Sequence, residues 1–320
     1  MGNSRTIGVL LHLVLFALGP TSIAADSPQR AKKFLKATEC DRIASHPYDY
    51  ERIGPPVLKI QNLSKAKEIC SKDLAEYPEN PRLLLLLGRV LHLEEREYWK
   101  PSPGLPYFQK SAAMGYTAAD FVLGAINSNI LGRGRFRLAF SHMLKAARSG
   151  HLEAMTRICL FIGRRSAQNY RAEILSLTQK AISLGSTDAM ANLARAYIFI
   201  LADTDRHKEA VEMLFEAERR GSLEASAALG QLQTFEAVPA GIREFLPENT
   251  FGGLRRLIRA ADKGNQKAAF VLGILYSGTT FSIPRDNEKM VLWLCKAGRG
   301  GHYMIAELLE KDSMKFSCKE

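Results

Sequence analysis

The residue types that do chemistry are all present in this chain, but their spacing assembles none of the usual constellations. Histidines stand at positions 12, 46, 92, 142, 151, 207 and 302, and no two are four apart, so no helix carries the His-Glu-x-x-His pairing that holds zinc. The five cysteines, Cys40, Cys70, Cys159, Cys295 and Cys318, form no Cys-x-x-Cys pair and have no histidine at ligand spacing. Glu94 and Glu95 are adjacent, and neighbours on a helix diverge by about 100°, which prevents them from working as acid and base on one substrate face. Gly132-Arg133-Gly134 lacks the third glycine of a dinucleotide cradle and follows a helical pattern, not a strand. The RGRFR run at 133–137 interleaves basic and aromatic residues as nucleic-acid contacts do. Phe136 reads better as core, and the exported character argued below speaks against a nucleic-acid partner. The pattern implies no catalytic residue, no metal and no cofactor, and a protein that is not an enzyme.

What does recur is a glycine phrase. A small residue, three others and then Gly appear as SAAMG ending at Gly115, AARSG at Gly150, AISLG at Gly185, AERRG at Gly221, AADKG at Gly264 and AGRGG at Gly301. The glycine steps are 35, 35, 36, 43 and 37 residues. A second register keeps the same beat: Leu87-Gly88, Leu123-Gly124, Ile158-Cys159, Leu193-Ala194, Leu229-Gly230 and Leu272-Gly273. A period of this length marks stacked supersecondary units with one shared core, an architecture that more often binds than catalyses. Each unit reads as a helix centred on the large-small pair, a loop, and a second helix stopped by the left-handed glycine. Ala154, Ala189, Ala225 and Ala268, four residues past their glycines, are small packing positions opening the next helix. His151 and His302 follow glycines and read as turn decoration, and Cys159, where other units place Gly, as a small buried apolar residue.

Apolar residues recur at three- and four-residue intervals, which predicts helices over 81–97, 105–114, 118–130, 135–149, 152–162, 170–184, 187–201, 206–220, 223–235, 251–263, 266–277, 285–298 and 303–311. No period-two alternation marks a strand, so the fold class is all-α. Two loops break the pattern: the proline-rich 99–106 stretch with Trp99, and 236–253, which holds the seven extra residues of the long step. Such insertions lie on one rim of a stack, where they serve as contact sites or as neutral surface.

The amino terminus reads as a signal peptide over 1–25: Arg5, an apolar run over 7–18 that is too short to span a membrane, a Gly-Pro break and small residues before the cut. A capping segment over 26–80, repeats over 81–310 and a tail over 311–320 complete the expected organisation, with no membrane span after the signal is removed. The formal charge is +11, or +10 without Arg5. That favours acidic partners, but Lys110, Lys145, Lys180, Arg259 and Lys296 all stand five residues before their glycine, where a cation complements a helix carboxyl end without any ligand.

The phrases QKAAFVLGILYSG, IPRDNEKMVLWLCKAG and DAMANLARAYIFILADTDRHKEAVEMLFEAERRG resemble Sel-one-like repeats, relatives of the tetratricopeptide repeat. The resemblance covers roughly 81–310 and is weakest around Cys159 and Gly230. The segment from CDRIASHPYDYERIG to PRLLLLLGRVL is similar to a leader found before such repeats in exported bacterial proteins. The resemblance implies an α/α superhelical solenoid of antiparallel helix pairs with a concave face for partner proteins. It also implies a Cys40–Cys70 disulfide, while the pairing of Cys159, Cys295 and Cys318 stays open. Tetratricopeptide geometry places Arg82, Arg89, His92, Asp188, Arg195, Glu224, Gln231 and Lys267 on the inner face, and Trp99 joins them as a loop contact. The leading expectation is a periplasmic or secreted adaptor for a protein partner. The alternative, resting on charge and the Trp99 loop, is a module binding carbohydrate, an anionic polysaccharide or another envelope component.

Overall fold

The computed structural model describes residues 36–94, 102–129, 133–235, 238–239, 241–279, 283–299 and 318. The expected signal peptide, Trp99 and the expected helix over 303–311 lie outside the described residues. The chain divides into two units, Met1–Ala37 and Thr38–Glu320, and every described helix belongs to the second.

That unit is an α/α solenoid of antiparallel helix pairs, with no strand among the described residues. Among the described residues, two cap helices, α1 (Glu39–Ala44) and α2 (Leu63–Glu76), precede six pairs. The first helices of the pairs are α3 (Pro81–Glu94), α5 (Thr117–Asn129), α7 (Leu152–Arg157), α9 (Thr187–Arg195), α11 (Leu223–Thr234) and α14 (Gln266–Ile274). Their partners are α4 (Leu105–Ala113), α6 (Arg133–Arg148), α8 (Arg171–Ser183), α10 (His207–Arg219), α13 (Thr250–Asp262) and α15 (Asn287–Arg299). α12 (Ile242–Phe245) sits inside the fifth pair. The sequence pattern left both cap helices and α12 unassigned, and the helix expected over 152–162 closes as a tighter 3₁₀ turn at Ile158–Phe161.

The glycine phrase works as a two-part joint. Gly115, Gly150, Gly185, Gly221 and Gly264 all have φ between 84° and 94°, the left-handed region that only glycine occupies without strain. The residue after each glycine returns a backbone N–H to the small first residue of the phrase: Tyr116 to Ser111, His151 to Ala146, Ser186 to Ala181, Ser222 to Ala217 and Asn265 to Ala260. These bonds satisfy carbonyls that a helix end leaves open. His151, Ser186, Ser222 and Asn265 then act as N-caps, each accepting from the backbone N–H three residues on. One tripeptide thus ends one helix and starts the next.

The large-small pairs set the helix spacing. A Cβ on Gly230 of α11 would stand 2.7 Å from Leu257 and 2.9 Å from the Gly253 carbonyl on α13, so the helices touch backbone to side chain there. Cys159 holds the equivalent place in α7's continuation and is fully buried and free, its thiol pushed up to about 12 by burial. Around these contacts Leu85, Phe108, Leu123, Met143, Met155, Ile158 and Ile174 form a core continuous across units. The 236–253 insertion belongs to the core as well: Ile242 and Leu246 are buried, and the Arg243 guanidinium donates to the Leu232 and Phe235 carbonyls at the end of α11.

Cys40 and Cys70 are disulfide-bonded and tie α1 to α2. A second disulfide joins Cys295 of α15 to Cys318, answering the pairing that sequence left open.

Candidate partner-binding groove

The first helices of the third to sixth units present their amino-terminal turns side by side, and together they line a groove of about 700 Å³. Its chemistry comes from one repeat position, three residues past each glycine: Glu153, Asp188, Glu224 and Lys267. Neighbouring units are tied through these residues. Ser222, the N-cap of α11, donates its hydroxyl to Asp188 at 2.6 Å, and Asn265, the N-cap of α14, donates to Glu224 at 3.3 Å. The Thr156 and Ser186 hydroxyls bridge α7 and α9 at 2.9 Å.

Charge is arranged along the groove in matched steps. Glu153 pairs with Arg157 one turn on, and the Arg157 guanidinium lies 5.5 Å from both the Tyr48 and Phe121 ring centres. Burial raises the Glu153 carboxyl above its ordinary value, partly opposed by Arg157. Glu224 binds Lys267 at 2.8 Å and faces Arg195 at 3.8 Å. Burial pushes the Glu224 carboxyl up, but Lys267, Arg195 and Arg157 together outweigh it and hold it below the usual range. Asn192 lines the same groove at 4% exposure; its amide donates to the Thr156 carbonyl at 3.2 Å, which fixes its orientation and leaves Oδ1 with no partner. Arg164, Arg220 and Lys263 complete the lining as exposed cations.

The cap supplies the end of this groove. Tyr48 lines it, and His151 Nε2–H donates to the Tyr48 carbonyl at 2.8 Å while its Nδ1 caps α7. The Nδ1 bond needs the neutral ring, and burial lowers the His151 pKa to about 4. Buried at 4% exposure, this histidine fastens the cap, which replaces the turn-decoration reading.

Of the residues expected on the inner face, Asp188, Glu224 and Lys267 meet in the groove, and Arg195 of α9 reaches Glu224 beside it. Gln231 lies further along α11 and is not part of the lining. His92 bonds Ser102 at 2.9 Å, across the 99–106 loop. Arg82 and Arg89 are corrected: at 5% and 8% exposure they are internal struts. Arg82 grips Asp41 through two nitrogens, at 2.7 and 3.1 Å. Arg89 donates to the Ala44, Ser45 and Val57 carbonyls at 3.0, 2.8 and 2.6 Å, where burial lowers its pKa to about 10. Glu153, Arg157, Tyr48 and Asn192 were missed. Glu153 was within reach, since it shares the glycine-plus-three register with Asp188 and Glu224. Tyr48 comes from outside the repeat, and no periodicity announces it.

No family model matches the chain, and no curated protein matches its sequence. Solved structures do. A protective antigen of uropathogenic Escherichia coli with an SLR fold is 19% identical over 86% of this chain and 57% of its own, with a TM-score of 0.48. A Sel1 repeat protein from Oxalobacter formigenes is 21% identical over 79% and 70%, at 0.44. A putative sel1 repeat protein from Klebsiella pneumoniae is 20% identical over 66% and 99%, at 0.41. The chain thus spans little more than half the length of the first of them. The likeness is one of architecture, stacked antiparallel helix pairs.

Proposed function

We propose that the protein is an exported, non-enzymatic adaptor that holds a segment of a partner protein in the groove formed by α7, α9, α11 and α14. The observation that carries this is the convergence of Glu153, Asp188, Asn192, Glu224 and Lys267, from four successive units, on one concave surface. A repeat delivers recognition by presenting similar positions in series, and a chain laid across the units meets each in turn. Export is supported by two disulfides, bonds that persist in oxidising compartments. Among the described residues no helix is long and apolar enough to cross a membrane.

A photo-crosslinking residue placed at Thr187 in the groove, compared with one at Lys208 on α10, tests the reading in the cells that make the protein. A protein adduct at 187 and none at 208 is expected. Adducts only at 208, or at neither position, contradict the adaptor role.

A further inference from the structure

We infer that the groove selects an acidic, extended segment of another protein; this rests on the adaptor reading and names the chemistry of its partner. The lining holds the cations Arg157, Arg164, Arg220, Lys263 and Lys267 against the carboxylates Glu153, Asp188 and Glu224. Two of the carboxylates are already answered by cations, Glu153 by Arg157 and Glu224 by Lys267 and Arg195, while Asp188 accepts from the neutral Ser222 hydroxyl and keeps its charge. The surplus is cationic. Arg220 and Lys263 are exposed and, among the described residues, no carboxylate forms an ion pair with them, while Arg164 stacks on Phe136 at 4.3 Å and is likewise in no ion pair there.

Arg220 and Lys263 also occupy one repeat position, the residue before Gly221 and Gly264, so they recur one unit apart along the groove wall. The amino-terminal turns of α9, α11 and α14 face the same space and add positive potential. An incoming basic segment meets one carboxylate without a cation partner, Asp188, against three cations without a carboxylate partner, whereas an acidic one finds cations spaced along its length. Helices packed about 9 Å apart make three steps from α7 to α14, about 27 Å, which an extended chain covers in about eight residues. An anionic polysaccharide carries the same charge, and the heparin probe below separates it from a peptide.

The test uses the full chain and three labelled ten-residue peptides, (Ala-Glu)₅, (Ala-Lys)₅ and (Ala-Gln)₅, with heparin as a fourth probe, followed by fluorescence anisotropy at low and high salt. The acidic peptide should bind about tenfold more tightly than the neutral one at low salt and lose that margin at high salt. The double reversal Arg220→Glu/Lys263→Glu should remove the preference. Arg171→Glu/Lys208→Glu, exposed on α8 and α10 away from the groove, should change it by less than about twofold. Equal binding of the three peptides, no binding of any, equal sensitivity to the outer-face reversal, or tighter and reversal-sensitive binding of heparin overturns the inference. If the reversed protein still crosslinks its partner through Thr187, the acidic-segment inference fails while the adaptor reading stands; if Thr187 captures nothing, the adaptor reading itself fails.

Discussion

Gly185 offers a clean test of the joint between units. Its φ is 94°, and a Cβ built on it would meet nothing within 4 Å, so replacing it changes backbone energy and no packing. An L-residue forced into the left-handed region costs about 1–2 kcal/mol. Restricting the unfolded chain returns about 0.4–1 kcal/mol. From the middle of these ranges Gly185→Ala should lose about 0.8 kcal/mol, read in urea denaturation as a lower midpoint with unchanged slope. Asparagine visits the left-handed region more readily, so Gly185→Asn should recover most of the loss. Gly230→Ala provides the contrast, since its new Cβ would stand 2.7 Å from Leu257 and the strain there is steric. Asparagine, being larger, must make that site worse. If Gly185→Ala is neutral, or if Asn is as costly as Ala at 185, the left-handed joint is not what holds the units in register.

Three further outcomes follow from the cap and the core. Cys40→Ser/Cys70→Ser opens a loop of 30 residues and should lower stability by about 3–4 kcal/mol, measured as an earlier cap transition in denaturant. Burial lowers His46 to about 3 and His151 to about 4 and pushes Asp49 up to about 6. Between about pH 4 and 6 the unfolded chain thus binds two histidine protons that the native state does not, while native Asp49 keeps one that the unfolded chain releases. These three groups should make stability rise with pH there by about 1.4 kcal/mol per unit, and Asp49→Asn should steepen the rise in pH-dependent melts. Cys159, with its thiol raised to about 12 and no exposed surface, should resist a maleimide in native protein and react fully in denaturant.

The stacked pairs were legible because their signals are local and repeated. The small first residue, the glycine and the cap after it sit within six positions of one another, and five copies average out the exceptions. The large-small pair announced close helix contact for the same reason. The Cys40–Cys70 bond of the cap was legible from the resemblance, but its contacts with the first pair were not, because Arg82 and Arg89 lie in an amphipathic-looking helix whose polar side faces Asp41 and the Ala44–Val57 backbone instead of solvent. Tetratricopeptide offsets placed both arginines on an inner face that the cap covers. The groove was half legible: charged residues at glycine-plus-three share a register, but Tyr48 and the Arg157 stack need a segment about 100 residues upstream of Gly150, the glycine that ends the second pair. The 236–253 insertion read as rim surface, yet Ile242 and Leu246 are core, because a four-residue helix is too short to leave a periodic trace.

Hydrogen exchange on the full chain, with and without the protein recovered by crosslinking at Thr187, reports the binding face directly. Protection should appear in Leu152–Arg157, Thr187–Arg195, Leu223–Thr234 and Gln266–Ile274 and leave Arg171–Ser183 and His207–Arg219 unchanged. Protection confined to those second helices would place the partner on the outer surface and remove the groove from the mechanism.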